Sequence, residues 1–269
     1  MEIRLLEENK TKNRISFIMR GAPISYANGL RRIMLEDVPT MAIHEVEFKK
    51  NSSLLYDEII AHRLGLVILK TDLKSYNLPD DCPCKGAGCA RCQLKLTLKS
   101  KGAGLVYASD MKSKDPKVKP VYPKTPIAKL VEGQELELVA TACLGSGKVH
   151  SKWSPCHAYY KYRPVIDIQK KCDACSKCIE ACPLEILEKK AGKVVVNKDK
   201  ALKCHLCNAC VDACEKGAII TSESSSDLIF NIESWGQLTN KEIISQALGI
   251  FDKKVSEIEA AVKEQLTRG

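Results

Sequence analysis

Shifted by 32 residues, KCDACSKCIEAC superposes on KCHLCNACVDAC, so that Cys172, Cys175, Cys178 and Cys182 fall on Cys204, Cys207, Cys210 and Cys214. Each copy reads C-x2-C-x2-C-x3-C. In a two-cluster iron–sulfur module with this spacing, three thiolates of one tight loop hold one cluster and the fourth ligand comes from the other copy. The loop's backbone N–H groups can point at the sulfides and offset the negative charge of the cluster. The pattern predicts cluster one on Cys172, Cys175, Cys178 and Cys214, and cluster two on Cys204, Cys207, Cys210 and Cys182. All eight ligands are present, which favours two [4Fe–4S] clusters over a three-iron form. Only the first copy is followed by proline (Pro183); the second carries Glu215. Two zinc sites or disulfides are the alternative uses of these thiols.

A third run, C-P-C-K-G-A-G-C-A-R-C, holds Cys82, Cys84, Cys89 and Cys92 in a glycine-rich turn. Four thiolates suit a closed tetrahedral structural zinc site. The C-x-C half is less usual than C-x2-C, so disulfides or free thiols stay open for this loop. Cys143 and Cys156 stand alone and read as small buried hydrophobes. The start, MEIRLLEENK, carries no secretory pattern. A reducing, cytoplasmic setting is therefore expected, where grouped cysteines bind metal more often than they form disulfides.

Other motifs fail on inspection. Gly145-Ser146-Gly147-Lys148 has Ala142 where a phosphate-binding loop needs its first glycine, and Val149 where it needs Ser or Thr. His44-Glu45 has Phe48 in place of the second zinc-protease histidine, and neither G-x-S-x-G nor G-x-G-x-x-G occurs. His62, His150, His157 and His205 have no identifiable partner set. No self-contained catalytic site is expected.

The elements that position these groups are mixed. Ile15, Phe17 and Met19 alternate with polar residues as a half-buried strand does, and Ala42, His44, Val46 and Phe48 do the same. Between them Ala27, Leu30, Ile33 and Met34 recur at helical spacing from about Tyr26 to Asp37, before Pro39. A second helix is expected over Asp57–Leu64, with Asp57 as N-cap and Gly65 as stop. Short strand signals follow at Leu94, Leu96 and Leu98 and at Leu136 and Leu138. EKKAGKVVV reads as a hairpin turning near Ala191-Gly192, and Ser222–Ser226 reads as a polar return linker. At the end, Thr239 and Glu242 form a capping box. An apolar stripe then runs through Ile244, Ala247, Leu248, Phe251, Val255, Ile258, Val262 and Leu266. A helix of that length, about 40 Å, can outrun its own domain and offer part of its stripe to a partner chain.

The chain has 269 residues, 45% hydrophobic and 28% charged, the balance of a globular protein with a real core. No apolar run of membrane-spanning length occurs, so no membrane role is expected. Residues 91–124 carry nine Lys and Arg against two Asp, most of the formal net charge of +9. A solvated face explains such a stretch as well as contact with nucleic acid or an acidic surface does. Aromatic residues are only 5%, which gives little support for base-stacking platforms.

The segments outside the cysteine runs resemble a known family. YANGLRRIMLEDVPTMAIHEVEF (Tyr26–Phe48), YDEIIAHRLGLVIL (Tyr56–Leu69), GSGKVHSKWSP (Gly145–Pro155) and FNIESWGQLTNKEIISQALGIF (Phe230–Phe251) are similar to the amino-terminal domain of the bacterial RNA polymerase α subunit and its archaeal and eukaryotic relatives. The Cys82–Cys92 loop looks like the zinc loop of the eukaryotic third-largest subunit. The inserted ferredoxin-like module points to the archaeal branch of the family. The resemblance implies an α+β fold in three parts: an α-like dimerisation domain from 1–48 and 225–269, a second α-like domain from 49–166 and 217–224, and a ferredoxin-like 2[4Fe–4S] domain from 167–216. It implies a heterodimer with the small subunit L through the C-terminal helix, and a platform for subunits N and P and the two largest, catalytic subunits. DNA would be met only through the whole complex. Arg31 and Arg32 would face a large subunit.

Two function classes follow. One is a non-catalytic assembly subunit of DNA-directed RNA polymerase with structural or regulatory clusters. Nucleotidyl transfer needs carboxylates holding two metal ions, and no such Asp cluster is present. The other is a ferredoxin-type electron-transfer protein or oxidoreductase subunit, which the doubled motif supports and the lack of a flavin or nicotinamide fingerprint opposes.

Overall fold

The computed structural model describes residues 1–268. In chain order the elements are β1 (Glu2–Asn9), β2 (Arg14–Arg20), α1 (Ile24–Glu36), β3 (Thr40–Asn51), α2 (Asp57–Gly65), β4 (Gln93–Lys101), β5 (Gly104–Tyr107), β6 (Lys112–Ser113), β7 (Pro126–Leu130), β8 (Glu135–Gly145), β9 (Cys156–Ile168), α3 (Lys177–Glu180), β10 (Leu187–Lys190), β11 (Lys193–Val196), α4 (Ala209–Asp212), β12 (Ile219–Ser234) and α5 (Asn240–Arg268). The fold is α+β. Two compact units are present: Met1–Glu7, Ser16–Ile24 and Tyr160–Asn231 form one, and Glu8–Ile15, Ser25–Tyr159 and 232–268 the other.

In the first unit the strands run in the order β1-β2-β12-β9. The Phe17 ring stacks on Phe230 at 5.4 Å between centroids, and Tyr160 stacks on Phe230 at 6.1 Å. Ser222–Ser226 is not a linker: these serines lie in the middle of the 16-residue β12. Composition misleads there because the backbone finds partners on neighbouring strands, as where the Ser226 carbonyl accepts from Gly21 N–H at 3.0 Å. The expected hairpin is present. β10 and β11 pair antiparallel from Leu187↔Val196 to Lys190↔Lys193, and Ala191 and Gly192 take positive φ of 49° and 73° at the turn.

In the second unit an antiparallel sheet runs β3-β8-β4-β6. Leu94, Leu96 and Leu98 of β4 lie opposite Ala142, Ala140 and Leu138 of β8 and face one core, which also takes Ile60 and Leu64 of α2. Full burial of such a side chain stabilises by about 1.5–3 kcal/mol. The alternate residues face water, where Lys99 pairs with Glu137 at 2.8 Å and Lys50 with Glu135 at 3.0 Å. Asp57 is not the N-cap of α2. It is the first helical residue, Tyr56 holds the cap position without a side-chain bond, and the Asp57 carboxylate accepts from Asn51 Nδ2 at 2.7 Å. A first-turn carboxylate still favours the helix dipole.

The α1 helix buries Ala27, Leu30, Ile33 and Met34. Its C-terminal carbonyl at Glu36 accepts from Lys148 N–H at 2.8 Å. This loop approaches so closely that a Cβ at position 147 would collide with the Leu35 carbonyl. α5 begins with the expected capping box: Thr239 N–H donates to Glu242 Oε2 at 2.8 Å and Glu242 N–H to Thr239 Oγ1 at 3.3 Å. Ile243 and Ala247 are fully buried, and Phe251 sits 5.3 Å from the Tyr26 ring and against Gly29. One turn on, Lys254 reaches Asp37 at 2.7 Å. From Asp252 to Thr267 every residue is exposed.

Gly147→Ala is expected to lower stability by about 2–3 kcal/mol through overpacking against the end of α1, read as a lower urea midpoint for the second unit.

Candidate metal centres

The glycine-rich turn folds Cys82, Cys84, Cys89 and Cys92 into one group. Lys85, Gly86 and Gly88 take φ of 51°, 81° and 84°, which coils the chain tightly enough to return the last two cysteines onto the first two. Cys82 and Cys89 Sγ are 3.5 Å apart, as are Cys84 and Cys92, and Cys89 and Cys92 are 3.9 Å apart. Four sulfurs about 2.3 Å from a tetrahedral zinc ion lie about 3.8 Å from one another, so the quartet fits one such ion. Among the described residues this is the group of ligating side chains whose atoms all lie within 4.8 Å of one another. Arg91 N–H donates to Cys89 Sγ at 3.4 Å and Cys89 N–H to Cys92 Sγ at 3.3 Å. A hydrogen bond from Cys82 draws the Cys84 thiol down to about 6, while burial pushes Cys92 up to about 12. A cation on the quartet would displace the remaining protons.

The doubled motif is repeated in the backbone as well as in the sequence. Ala174 and Ser176 take φ of 58° and 72°; their counterparts 32 residues on, Leu206 and Asn208, take 57° and 63°. Glu185 at 50° corresponds in the same way to Gly217 at 55°. The positive-φ residues set up the short helices α3 and α4 that each carry a third cysteine, Cys178 and Cys210, into the interior. Burial follows the repeat: Cys178 and Cys210 are buried, Cys175 and Cys207 exposed, and the other four intermediate. The sulfur hydrogen bonds follow it too. Ile186 N–H donates to Cys182 Sγ at 3.4 Å, and Ala218 N–H to Cys214 Sγ at 3.2 Å. Such donors lower the cost of a negatively charged cluster. Cys182, Cys204, Cys207 and Cys210 line a single cavity with Ile186 and Leu206, the donor set that the sequence pattern assigns to cluster two. A thiol-lined apolar cavity suits an iron–sulfur group, so the residues fit it.

The remaining candidate residues lie apart from these thiols. Arg31 donates to Asn28 Oδ1 at 3.0 and 3.2 Å, and Arg32 pairs with Glu36 at 3.2 Å. Cys156 is buried among apolar neighbours, which pushes its thiol to about 12, and Cys143 is buried beside Trp153. His150 Nδ1 accepts from Lys152 N–H at 3.0 Å. In the basic stretch, Lys99 and Lys117 are paired, the latter with Asp72 at 2.9 Å. Sequence reasoning missed the lysines around the ferredoxin-like loops. Lys161 Nζ donates to the Cys204 carbonyl at 3.0 Å and Lys189 Nζ to the Ala174 carbonyl at 2.9 Å.

Comparison with known proteins accounts for both regions. Residues 46–158 match the family described as the RNA polymerase Rpb3/RpoA insert domain, and residues 171–219 match the 4Fe-4S dicluster domain. The DNA-directed RNA polymerase subunit Rpo3 of Methanothermobacter thermautotrophicus is 42% identical over 263 residues, covering 96% of this chain and 97% of the relative. This chain belongs to the Rpo3 family of archaeal DNA-directed RNA polymerase subunits. The Rpo3 of Archaeoglobus fulgidus is 40% identical, with 98% of each chain covered, and that of Pyrococcus furiosus 38% identical, with 94% of each covered. As an Rpo3-family chain it is a non-catalytic subunit of a nucleotidyltransferase complex, and its partners are other polymerase subunits. The dicluster match encloses all eight cysteines of the repeat. No helix among the described residues is long and apolar enough to cross a membrane.

The metal-free protein is expected to take up one equivalent of Co(II) at the Cys82 loop with a tetrahedral thiolate spectrum. Uptake fails in Cys84→Ser, and falls in wild type as acid below about pH 6 lets protons compete for the thiolates.

Proposed function

We propose that this chain is the assembly platform of an archaeal RNA polymerase, pairing with the small subunit L through α5 and then receiving subunits N and P and the two largest subunits. The observation that carries this reading is the free half of α5. Ile244, Leu248, Phe251, Val255, Ile258 and Val262 recur at alternating steps of four and three residues, the spacing of a seam that packs against another helix. Val255, Ile258 and Val262 are 50, 65 and 52% exposed. An isolated helix of this length is marginal in water, and the i,i+4 pairs Lys253–Glu257 and Glu259–Lys263 add only about 0.3–0.5 kcal/mol each. A docked partner helix supplies the missing burial.

In this reading 1–48 with 225–269 form the dimerisation domain, 49–166 with 217–224 the second α-like domain, and 167–216 the iron–sulfur domain. The insert-domain match at 46–158 supports the middle division. Cys172, Cys175, Cys178 and Cys214 hold one [4Fe–4S] cluster and Cys204, Cys207, Cys210 and Cys182 the other. Cys82, Cys84, Cys89 and Cys92 hold a structural zinc ion, which the sulfur spacing supports. The clusters act as structural staples for a small module, since thiolate-bound metal contributes folding free energy. Arg31 and Arg32 are contacts for a large subunit, and the complex works in the cytoplasm.

Val255→Asp combined with Ile258→Asp is expected to weaken pairing with subunit L at least about 100-fold, as for loss of two buried anchors, with iron content unchanged. Undiminished co-purification would contradict the proposed use of α5. Serine at Cys178 and Cys210 is expected to reduce recovery of the complete polymerase while the pair with L still forms. Equal recovery would remove the structural role of the clusters.

A further inference from the structure

The 32-residue repeat is kept in its ligands, its backbone angles and the N–H donors to Cys182 and Cys214, but its two copies differ in charge at four positions near the ligands. In the loop of Cys172, Cys175 and Cys178 stand Asp173 and Lys177. The fourth ligand of that set, Cys214, is followed by Glu215 and Lys216. These four side chains form two ion pairs, Asp173–Lys216 at 2.8 Å and Lys177–Glu215 at 2.5 Å. Each pair joins the three-ligand loop to the residues that follow the fourth ligand. At the corresponding positions around the other set stand His205, Ala209, Pro183 and Leu184, which cannot make either pair. There Pro183 and Leu184 instead line the cavity shared by Cys182, Cys204, Cys207 and Cys210. Apart from these pairs, one lysine serves each loop: Lys189 on the Ala174 carbonyl and Lys161 on the Cys204 carbonyl.

We propose that the two cluster sites are closed by unequal electrostatic clamps. Asp173–Lys216 and Lys177–Glu215 clamp Cys214 to the loop of the first site, whereas the segment after Cys182 has the single pair Lys200–Glu185 at 2.9 Å, which reaches the chain before the second loop and not the loop itself. The inference rests on the ligand sets given above. Its consequence is a larger response to salt at the first site. The ion-pair side chains of the first site are between 44 and 79% exposed. Mobile ions therefore screen them, the Debye length falling from about 10 Å at 0.1 M to about 3 Å at 1 M salt. Single exposed pairs are weak, but two pairs joining the same two segments act together on the departure of one ligand. Asp173, Lys177, Glu215 and Lys216 are thus positioning residues for the first cluster.

The test uses the full chain, purified without oxygen and carrying its iron. A ferrous chelator is added at about 0.1 M and about 1 M sodium chloride, freed thiols are trapped with iodoacetamide, and the labelled cysteines are mapped by peptide mass. At high salt Cys172, Cys175, Cys178 and Cys214 are expected to be labelled about fivefold faster, the size of two exposed ion pairs, while Cys182, Cys204, Cys207 and Cys210 change rate by less than about twofold. Lys177→Gln with Lys216→Gln is expected to bring the low-salt rate of the first set up to its high-salt rate and leave the second set alone. One salt response shared by all eight thiols, or a response confined to the second set, overturns the inference with the ligand sets intact. Labelling that groups Cys182 with Cys172, Cys175 and Cys178 overturns the ligand sets themselves, and the inference with them.

Discussion

An apolar helix seam whose outer turns have no intrachain cover is the constraint around which the chain is arranged. α5 is anchored at its start by the Thr239–Glu242 box, by the buried Ile243 and Ala247, and by Phe251 between Tyr26 and Gly29. Beyond that point it carries Val255, Ile258, Val262 and Leu266 into solvent. The buried first turns fix the direction of the helix, and the exposed turns keep the apolar period. A monomer gains little from that period. Water opposes it, because each such side chain would contribute about 1.5–3 kcal/mol once buried. The proposed platform role gives the seam its use.

The metal-binding loops solve a different problem by related means. The ferredoxin-like repeat has only a small core of its own, around Cys178, Leu187, Val194, Cys210 and Ile219, and the Cys82 turn is a short segment. Their positive-φ residues bring thiols together with little other packing. Bound metal can supply the free energy that such segments lack. The close sulfur spacing of the Cys82 group suits a single ion, whereas the repeat presents Cys182, Cys204, Cys207 and Cys210 around a cavity. One chain thus carries two thiol geometries.

Much of this was legible in the sequence because it is local. The cysteine spacing, the Ala191-Gly192 turn, the capping box and the alternation of Leu94, Leu96 and Leu98 each depend on residues a few positions apart. What was not legible depends on neighbours remote in the chain. Ser222–Ser226 has the composition of a loop and becomes strand because β2 and β9 flank β12. Asp57 has the chemistry of a cap but turns to Asn51. Ile243, outside the stripe read from the sequence, proves to be the buried anchor of α5. Glu215 looks like a minor loss of proline until Lys177 is seen beside it. That last signal was present in the sequence, since the 32-residue shift exposes every position where the two copies differ.

The most direct test of the platform account is amide hydrogen exchange along α5, comparing the chain alone with the chain bound to subunit L. The account predicts that amides from about 252 to 267 exchange quickly in the isolated chain and become strongly protected in the pair, while those near Ile243 and Ala247 are protected in both. Strong protection of the whole helix in a monomeric isolated chain, unchanged by the partner, would contradict it.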